Sequence, residues 1–141
     1  MTWRLARSLD VLRSQINRLA SERSTESDGT KGDDAHAATK SDHNPNAAGV
    51  VCAIDITNDP THEVHCQLIA EAIRASKDPR VSYMIFNGFM LRSYAKPNIP
   101  AWTWALYTGP SPHPHHIHIS VRADRADDAG PWRIDRRAGS L

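Results

Sequence analysis

Residues 111–121 constrain the fold more than any other stretch, because they hold four of the eight histidines of the chain. From residue 116 onward polar and aliphatic side chains alternate, with His116, His118 and Ser120 against Ile117, Ile119 and Val121. This period of two predicts a half-buried strand that turns its aliphatic side to a core and its imidazoles to the other face. Two imidazoles on one face can share a metal ion, or serve as one ligand and one catalytic group. The alternative interpretation is a basic, solvated edge strand.

The length and charge of the chain limit its class. Its 141 residues suit one compact domain, so we expect a single domain over residues 1–141. The 17 basic and 16 acidic residues nearly cancel and form no basic stripe, so nucleic acid is not an expected partner. No apolar run has the length of a membrane span, and residues 1–20 lack the apolar core of a signal peptide. We therefore expect no membrane insertion.

Two segments have the apolar spacing of amphipathic helices. The first covers about residues 3–21, where Thr2 could cap it, and the second about residues 61–76. The second opens with His62-Glu-Val-His65, which is not the zincin motif because its histidines lie three residues apart and not four. We interpret His65 and Cys66 as surface or packing residues.

Two polar regions contain few apolar residues. Residues 22–46 include Arg23 and three acidic Asp-containing turns, and we expect an ordered loop that wraps a site, with one helical turn at about residues 33–39. The tail from about residue 122 is charged and less regular, with Trp132 and Ile134 as its expected anchors.

The middle of the chain predicts strands. Residues 50–56 form an apolar, β-branched run with one acid, Asp55. A buried carboxylate is costly unless it is paired or holds a metal, so Asp55 is a candidate functional residue; the alternative is a cap for the following turn. Residues 81–86 and 89–93 predict a hairpin, because Asn87-Gly88 suits a type I′ turn.

Three polar residues form a candidate metal site: His43, Asp55 and His118. Two imidazoles and one carboxylate leave the fourth position of a zinc ion open, which is the catalytic pattern and suits hydrolysis of an amide. The first choice for a separate base is His116, on the same strand face, and the second is His113. His36 is the next place to look for a ligand if Asp55 serves only as a cap.

Several strings in the chain resemble one family. They are Ser27-Asp-Gly29, Ser41-Asp-His-Asn-Pro45, Gly49-Val-Val51, Asp55-Ile-Thr57, Asp78-Pro-Arg-Val81, Tyr107-Thr-Gly109, Pro112-His113 and His116-Ile-His-Ile-Ser-Val121. They resemble the metallopeptidases that cleave peptidoglycan stem peptides, a group with the VanY-type D-Ala-D-Ala carboxypeptidases, the penicillin-insensitive murein endopeptidases and the hedgehog signalling domain. Within this group the chain is similar to compact peptidase domains of actinobacterial phages and prophages.

The resemblance implies an α+β fold with a small, mainly antiparallel sheet, packed helices and a Zn²⁺ ion in a cleft on one sheet face. It implies His43, Asp55 and His118 as ligands and His116 and His113 as active-site histidines. Candidate substrate-binding residues are Arg23, Ser41 and Trp104. Arg23 belongs to an Arg-Ser pair like the one from which several family members draw a carbonyl-polarising or carboxylate-binding arginine. Trp104 belongs to an aromatic cluster with Trp102 and Tyr107, which either walls a ligand site or packs the core.

The implied function is zinc-dependent hydrolysis of a peptide bond in peptidoglycan stem peptides, by an endolysin-type peptidase or a D-Ala-D-Ala carboxypeptidase. We expect a monomer that is made in the host bacterial cytoplasm without a signal peptide and acts on the cell wall after release, or that is part of a phage particle. The alternatives are a non-catalytic, metal-stabilised binding module with the same fold, and a histidine-rich strand that only scavenges metal.

The chain departs from the family pattern at several positions. The interval from His43 to Asp55 is twelve residues, longer than in many members. Phage relatives commonly have His and Asp where this chain has Asn58 and His65, and they tend to have Arg near Ala105. We expect these differences to affect substrate orientation and reaction rate, while the three candidate metal ligands are retained.

Overall fold

The computed structural model describes residues 2–32, 41–109 and 111–134. Their strands are β1 (Arg4–Leu5), β2 (Val50–Val51), β3 (Ala53–Thr57), β4 (Val81–Phe86), β5 (Phe89–Arg92), β6 (Trp104–Leu106) and β7 (His116–Val121). Their α-helices are α1 (Arg7–Leu19) and α2 (Cys66–Ser76), and short 3₁₀ turns lie at Pro60–His62 and Ala123–Arg125. The main sheet has the order β3-β7-β4-β5-β6 with every pair antiparallel, which confirms the predicted α+β class.

One face of the main sheet forms the core with both helices. Strand side chains alternate between faces, so the aliphatic residues of β7 point to this core while its histidines point away. The largest fully buried side chains belong to it: Leu9, Leu12, Ile16, Ile54, Ile56, Ile69, Ile73, Met84, Leu91, Ile117, Ile119 and Trp132. The opposite sheet face therefore carries the polar side chains of β3 and β7. We call it the site face.

The position of β7 contradicts the edge-strand interpretation. It lies between β3 and β4, and its backbone is paired on both sides. Even on the site face His118 and Ser120 are buried, so the strand is half-buried only at His116.

The first helix begins later than predicted. Arg4–Leu5 pairs in parallel with Val50–Val51, where the backbone N–H of Arg4 donates to Gly49 (2.9 Å). This pairing keeps the first residues extended, so α1 begins at Arg7 and Thr2 does not cap it. The predicted strand at residues 50–56 is likewise divided between two sheets, as β2 and β3.

The second helix also begins later than predicted. Glu63 has a left-handed backbone (φ 72°), which interrupts the helical path after the 3₁₀ turn, so α2 starts at Cys66. The Asn58 side-chain oxygen accepts the Cys66 N–H (3.0 Å) and so caps this helix. Cys66 is fully buried, as a packing residue would be.

The predicted hairpin and tail anchors are confirmed. Asn87 and Gly88 both have positive φ (51° and 85°), as a type I′ turn requires. Trp132 and Ile134 are buried, and the Trp132 indole N–H donates to the Ser8 carbonyl (2.9 Å). None of the helices in the described parts of the chain is both long and apolar enough to cross a membrane.

Candidate metal centre

The three predicted ligands lie together on the site face. Asp55 of β3 and His118 of β7 are direct cross-strand partners, and His43 reaches them from the loop before β2. The Nε2 atom of His43 is 3.2 Å from the Asp55 carboxylate, and the Nδ1 atom of His118 is 3.3 Å from it. One potential ligand atom of each residue lies within 4.8 Å of the other two, so this group could hold a metal ion.

The second nitrogen of each histidine has its own partner. The Nδ1 atom of His43 lies 2.5 Å from the Thr30 carbonyl oxygen, which can only accept, so Nδ1 carries the proton. The Nε2 atom of His118 lies 2.7 Å from the Ser120 hydroxyl, which can accept its proton in turn. When both rings are neutral, the lone pairs of His43 Nε2 and His118 Nδ1 therefore face Asp55 and can bind a cation there. Metal-binding histidines are usually oriented by a second hydrogen bond of this kind.

The electrostatics of the group favour an ionised carboxylate. Burial raises the pKa of Asp55, but hydrogen bonds and charge interactions with His118 and His43 outweigh it and hold the pKa well below its usual range. Burial lowers the pKa of His43, and the hydrogen bond and charge of Asp55 overcome that effect and raise it. A negative oxygen therefore lies between two imidazole nitrogens, which is a donor set that fits a divalent cation.

An Asp55→Asn protein should bind zinc much more weakly, because a neutral amide is a poorer ligand than a carboxylate. Zinc content after dialysis measures the effect, and Asp124→Asn is a matched control since Asp124 is an exposed acid after β7. An Asp55→Asn protein that keeps both metal and activity would place the third ligand elsewhere. His36, the alternative, lies outside the described residues, as does the helical turn predicted at residues 33–39.

Gly29 holds the loop against Asp55. Its backbone N–H donates to the Asp55 carbonyl (3.2 Å), and the Asp55 N–H donates back to Gly29 (2.8 Å). A Cβ atom at position 29 would lie 3.0 Å from the Asp55 Oδ2 atom. Thr30, the next residue, supplies the carbonyl that orients His43. The sequence showed Gly29 only as part of a motif string, and the role of Thr30 was missed because a backbone carbonyl has no sequence signal.

A Gly29→Ala protein should therefore fold but bind zinc several-fold more weakly, because the new methyl group displaces the Asp55 carboxylate. Calorimetric titration of zinc into the metal-free protein measures this change. Thermal unfolding in chelator is the control, since it reports the fold without the ion. An unchanged zinc affinity would show that the carboxylate position does not limit binding.

The two predicted bases adjoin the three ligands. The Nε2 atom of His116 is 3.7 Å from Asp55 Oδ1, and its ring centroid is 4.9 Å from that of His113. The His113 ring lies 5.6 Å from that of His118. Burial lowers the pKa of both bases, and neighbouring imidazoles lower it further, although Asp55 opposes the shift. Both rings are thus predominantly neutral near pH 7, as a proton acceptor must be.

The structure assigns Arg23 to a buried ion pair and not to the metal site. Its guanidinium donates twice to Asp28 (2.8 and 3.0 Å) and once to Asn17 (2.8 Å), and its side chain is 3% exposed. Asp28 in turn accepts the N–H (2.9 Å) and the hydroxyl (2.7 Å) of Thr57 at the end of β3. The expectation that Arg23 contacts substrate is therefore corrected: with its hydrogen bonds committed, it ties the loop to the sheet.

Trp104 also lies away from the metal site. It is the cross-strand partner of Leu91, whose side chain belongs to the core, and its indole N–H donates to Glu71 of α2 (2.9 Å). It is therefore on the helix face of the sheet, and its expected role in substrate binding is corrected. The aromatic neighbours of the site are Tyr83, which stacks on His118 (5.3 Å), and Tyr107, whose ring is 6.0 Å from His113.

Ser41 has a local role beside His43. Its hydroxyl accepts the His43 N–H (3.2 Å), and its carbonyl accepts the Asn44 N–H (3.0 Å). These bonds form the turn that presents the His43 ring. Substrate binding by Ser41 stays a prediction.

An open polar cleft of about 450 Å³ lies next to His116, at the ends of β3 and β7. It is lined by Ser24, Glu26, Ser27, Thr57, Asn58, Asp59 and His115. Hydroxyl, amide and carboxylate groups of this kind can accept and donate hydrogen bonds to an extended polar ligand such as a peptide.

Comparisons with protein-family models, with curated proteins and with solved structures found no match. Among the described residues, His43, Asp55 and His118 form a group that could hold a metal ion.

Proposed function

We propose that this protein is a zinc peptidase that hydrolyses a peptide bond in peptidoglycan stem peptides, as an endolysin-type peptidase or a D-Ala-D-Ala carboxypeptidase. The observation that carries the proposal is the grouping of His43, Asp55 and His118 with two further imidazoles beside them. The helices on one sheet face and the polar group on the other also fit the hedgehog-like, DD-peptidase-like fold that the motifs suggest.

Zinc fits this donor set better than the common alternatives. Two imidazole nitrogens and one carboxylate oxygen suit zinc, whereas magnesium and calcium prefer oxygen ligands alone. A zinc ion bound there would polarise the peptide carbonyl and make a water molecule more acidic. His43, Asp55 and His118 would hold it, with the Thr30 carbonyl and the Ser120 hydroxyl orienting the two rings.

His116 is the proposed base. Its neutral ring accepts a proton from the attacking water as the new C–O bond forms, and it donates that proton to the amine as the C–N bond breaks. His113 lies close enough to His116 to share this task, and its Nδ1 atom lies 2.6 Å from the Ser111 carbonyl oxygen. That bond keeps the proton on His113 Nδ1 and leaves Nε2 as an acceptor.

The proposed partner is the stem peptide alone, bound by a monomer. The protein would be made in the host bacterial cytoplasm and act on the cell wall after release, or would act as part of a phage particle.

One observation favours a second candidate, a non-catalytic module that binds cell wall or protein. Arg23, the expected carbonyl-polarising cation, is committed to Asp28 and so is withdrawn from the site. A site without such a cation could retain its metal and ligand while turnover is lost.

Digestion of purified peptidoglycan, with and without chelator, separates these candidates. Mass spectrometry identifies the new termini. Free D-Ala indicates a carboxypeptidase, and new amino groups within the stem indicate an endopeptidase. Zinc-loaded protein that forms no product would overturn the peptidase proposal and favour the binding module.

A further inference from the structure

Arg92 is a half-buried arginine whose side chain has no partner among the residues that the structure describes. Four arginines in the described part of the chain are buried or half-buried, namely Arg13, Arg23, Arg80 and Arg92. The first three form ion pairs with aspartates at 2.7–2.8 Å. No described residue forms a hydrogen bond or ion pair with the Arg92 guanidinium. A partly desolvated cation left in this way is a site for an anion from outside the chain.

The sheet register places Arg92 on the site face. It is the direct partner of Tyr83 on β4, and Tyr83 is the partner of Ser120 on β7. The ring of Tyr83 stacks on His118, at an interplanar angle of 13°. Its neighbour in sequence, Leu91, is fully buried in the core, so Arg92 points to the opposite side. Arg92 thus lies in one row across the sheet with Tyr83 and Ser120, beside the candidate metal group.

The side chains between Arg92 and the histidines are mostly apolar, and among them Ile85 is buried while Tyr83 and Met90 are half-buried. The next row across the sheet contains His118, Ile85, Met90 and Ala105. Asp42 contacts Tyr83, but it does not form an ion pair with Arg92. Among the described residues no acid therefore neutralises Arg92, and a peptide that reaches it would pass over the half-buried side chains of Tyr83 and Met90.

The spacing limits which part of a peptide could reach Arg92. Two strand spacings separate β5 from β7, which is about 10 Å, and the long arginine side chain spans part of this distance. An extended peptide covers about 3.5 Å per residue. A carboxylate that meets Arg92 therefore lies one or two residues from the bond held at the metal group.

We propose that Arg92 binds the terminal carboxylate of a stem peptide that is cleaved at its last peptide bond. This inference rests on the proposed peptidase function and narrows it to carboxypeptidase action. The planar guanidinium donates two parallel hydrogen bonds to a carboxylate, and a lysine cannot reproduce that geometry. Arg92 thus takes one of the two roles suggested for Arg23, that of binding a substrate carboxylate, from a different part of the chain.

Matched peptides test the proposal with zinc-loaded protein. The first is L-Ala-γ-D-Glu-L-Lys-D-Ala-D-Ala with a free terminal carboxylate, the second has a terminal amide, and the third has an amide only at the α-carboxylate of D-Glu. The wild-type protein should cleave the first and third at similar rates. It should cleave the terminal amide with a kcat/KM about 10–100-fold lower, through the loss of a charged hydrogen-bond pair.

The variants are Arg92→Met, Arg92→Lys and the control Arg18→Met, which removes an exposed arginine from α1. The kcat/KM of Arg92→Met for the peptide with a free terminal carboxylate should be lower than that of the wild type by the same factor, mainly through a higher KM. This variant should cleave the terminal acid and the terminal amide equally well. Arg92→Lys should prefer the terminal acid over the terminal amide, but less strongly than the wild type does. Arg18→Met should match the wild type, and zinc content and Tm should be unchanged in all three.

A second measurement does not depend on turnover. Analogues with a reduced scissile bond, ending in an acid or an amide, are titrated calorimetrically into the zinc-loaded proteins. The wild type should bind the acid about 10–100-fold more tightly, and Arg92→Met should bind both alike. Equal Kd values in the wild type, or a preference that survives in Arg92→Met, would overturn the assignment of Arg92. A preference that depends on the α-carboxylate of D-Glu, and not on the terminal carboxylate, would also overturn this assignment. If none of the peptides is cleaved, the narrowing to carboxypeptidase action fails, whereas the peptidase proposal itself fails only if peptidoglycan is also left intact. The Kd values decide the role of Arg92 in either case.

Discussion

The His116→Ala protein is expected to keep its fold and about one equivalent of zinc but to hydrolyse peptidoglycan about 10²–10⁴-fold more slowly. His116 lies outside the group of potential ligands, with its Nε2 atom 3.7 Å from the Asp55 carboxylate. Its ring is also partly exposed, so truncation leaves little buried space unfilled. The change should therefore remove a proton acceptor and leave the metal site in place.

Zinc content, thermal unfolding and product formation, measured on the same preparation, check this expectation. His65→Ala is the matched control, because His65 lies before α2 and is not among the residues that line the cleft. Loss of zinc from His116→Ala would make His116 a ligand, and undiminished turnover would transfer the role of base to His113.

The His118→Ala protein is expected to lose zinc and activity together. His118 is buried, and it has the Asp55 carboxylate on one ring nitrogen and the Ser120 hydroxyl on the other. Its removal deletes one of the three ligands, and Asp55 also loses its cross-strand partner. Metal that binds only the folded chain stabilises it, by about 4 kcal/mol when the ion is present at a thousand times its Kd. The Tm of the variant should therefore fall and should no longer respond to added zinc.

Comparison of Tm with and without zinc, for the wild type and His118→Ala, measures directly how much bound zinc stabilises the folded chain. In chelator the two proteins should differ only by the contacts of the His118 ring itself, which are its packing against Tyr83 and His43 and its polar contacts with Asp55 and Ser120. A His118→Ala protein that is free of metal but active would contradict the assignment of the whole site.

Local sequence pattern predicted the parts of this fold that depend on one segment. The alternation of residues 116–121 placed the histidines and the isoleucines on opposite faces, and the Asn87-Gly88 turn was identified from its dipeptide. The pattern did not show β1, because two extended residues before a helix have no period of their own. It also did not show that β7 is an interior strand, since that depends on pairing with β3 and β4, which are far away in sequence.

The candidate site likewise has features that local sequence could predict and features that depend on the folded sheet. Residue type and motif likeness identified His43, Asp55 and His118, and the register that makes Asp55 and His118 partners is visible only in the folded sheet. The choice between a ligand-site and a core-packing role for Trp104 stayed open, because a strand of three residues is too short to show which face of the sheet a side chain occupies. Arg23 was given a substrate role, although Asp28, five residues later, is close enough to neutralise it.

We propose that hydrolysis requires one zinc ion, held by His43, Asp55 and His118. The most direct test is to remove metal with chelator, add zinc back in known amounts, and follow peptide products from purified peptidoglycan. We predict no hydrolysis without metal and a linear rise that reaches a plateau at about one equivalent per chain. Full activity in the metal-free protein, or a gradual rise over several loosely bound equivalents, would contradict the account.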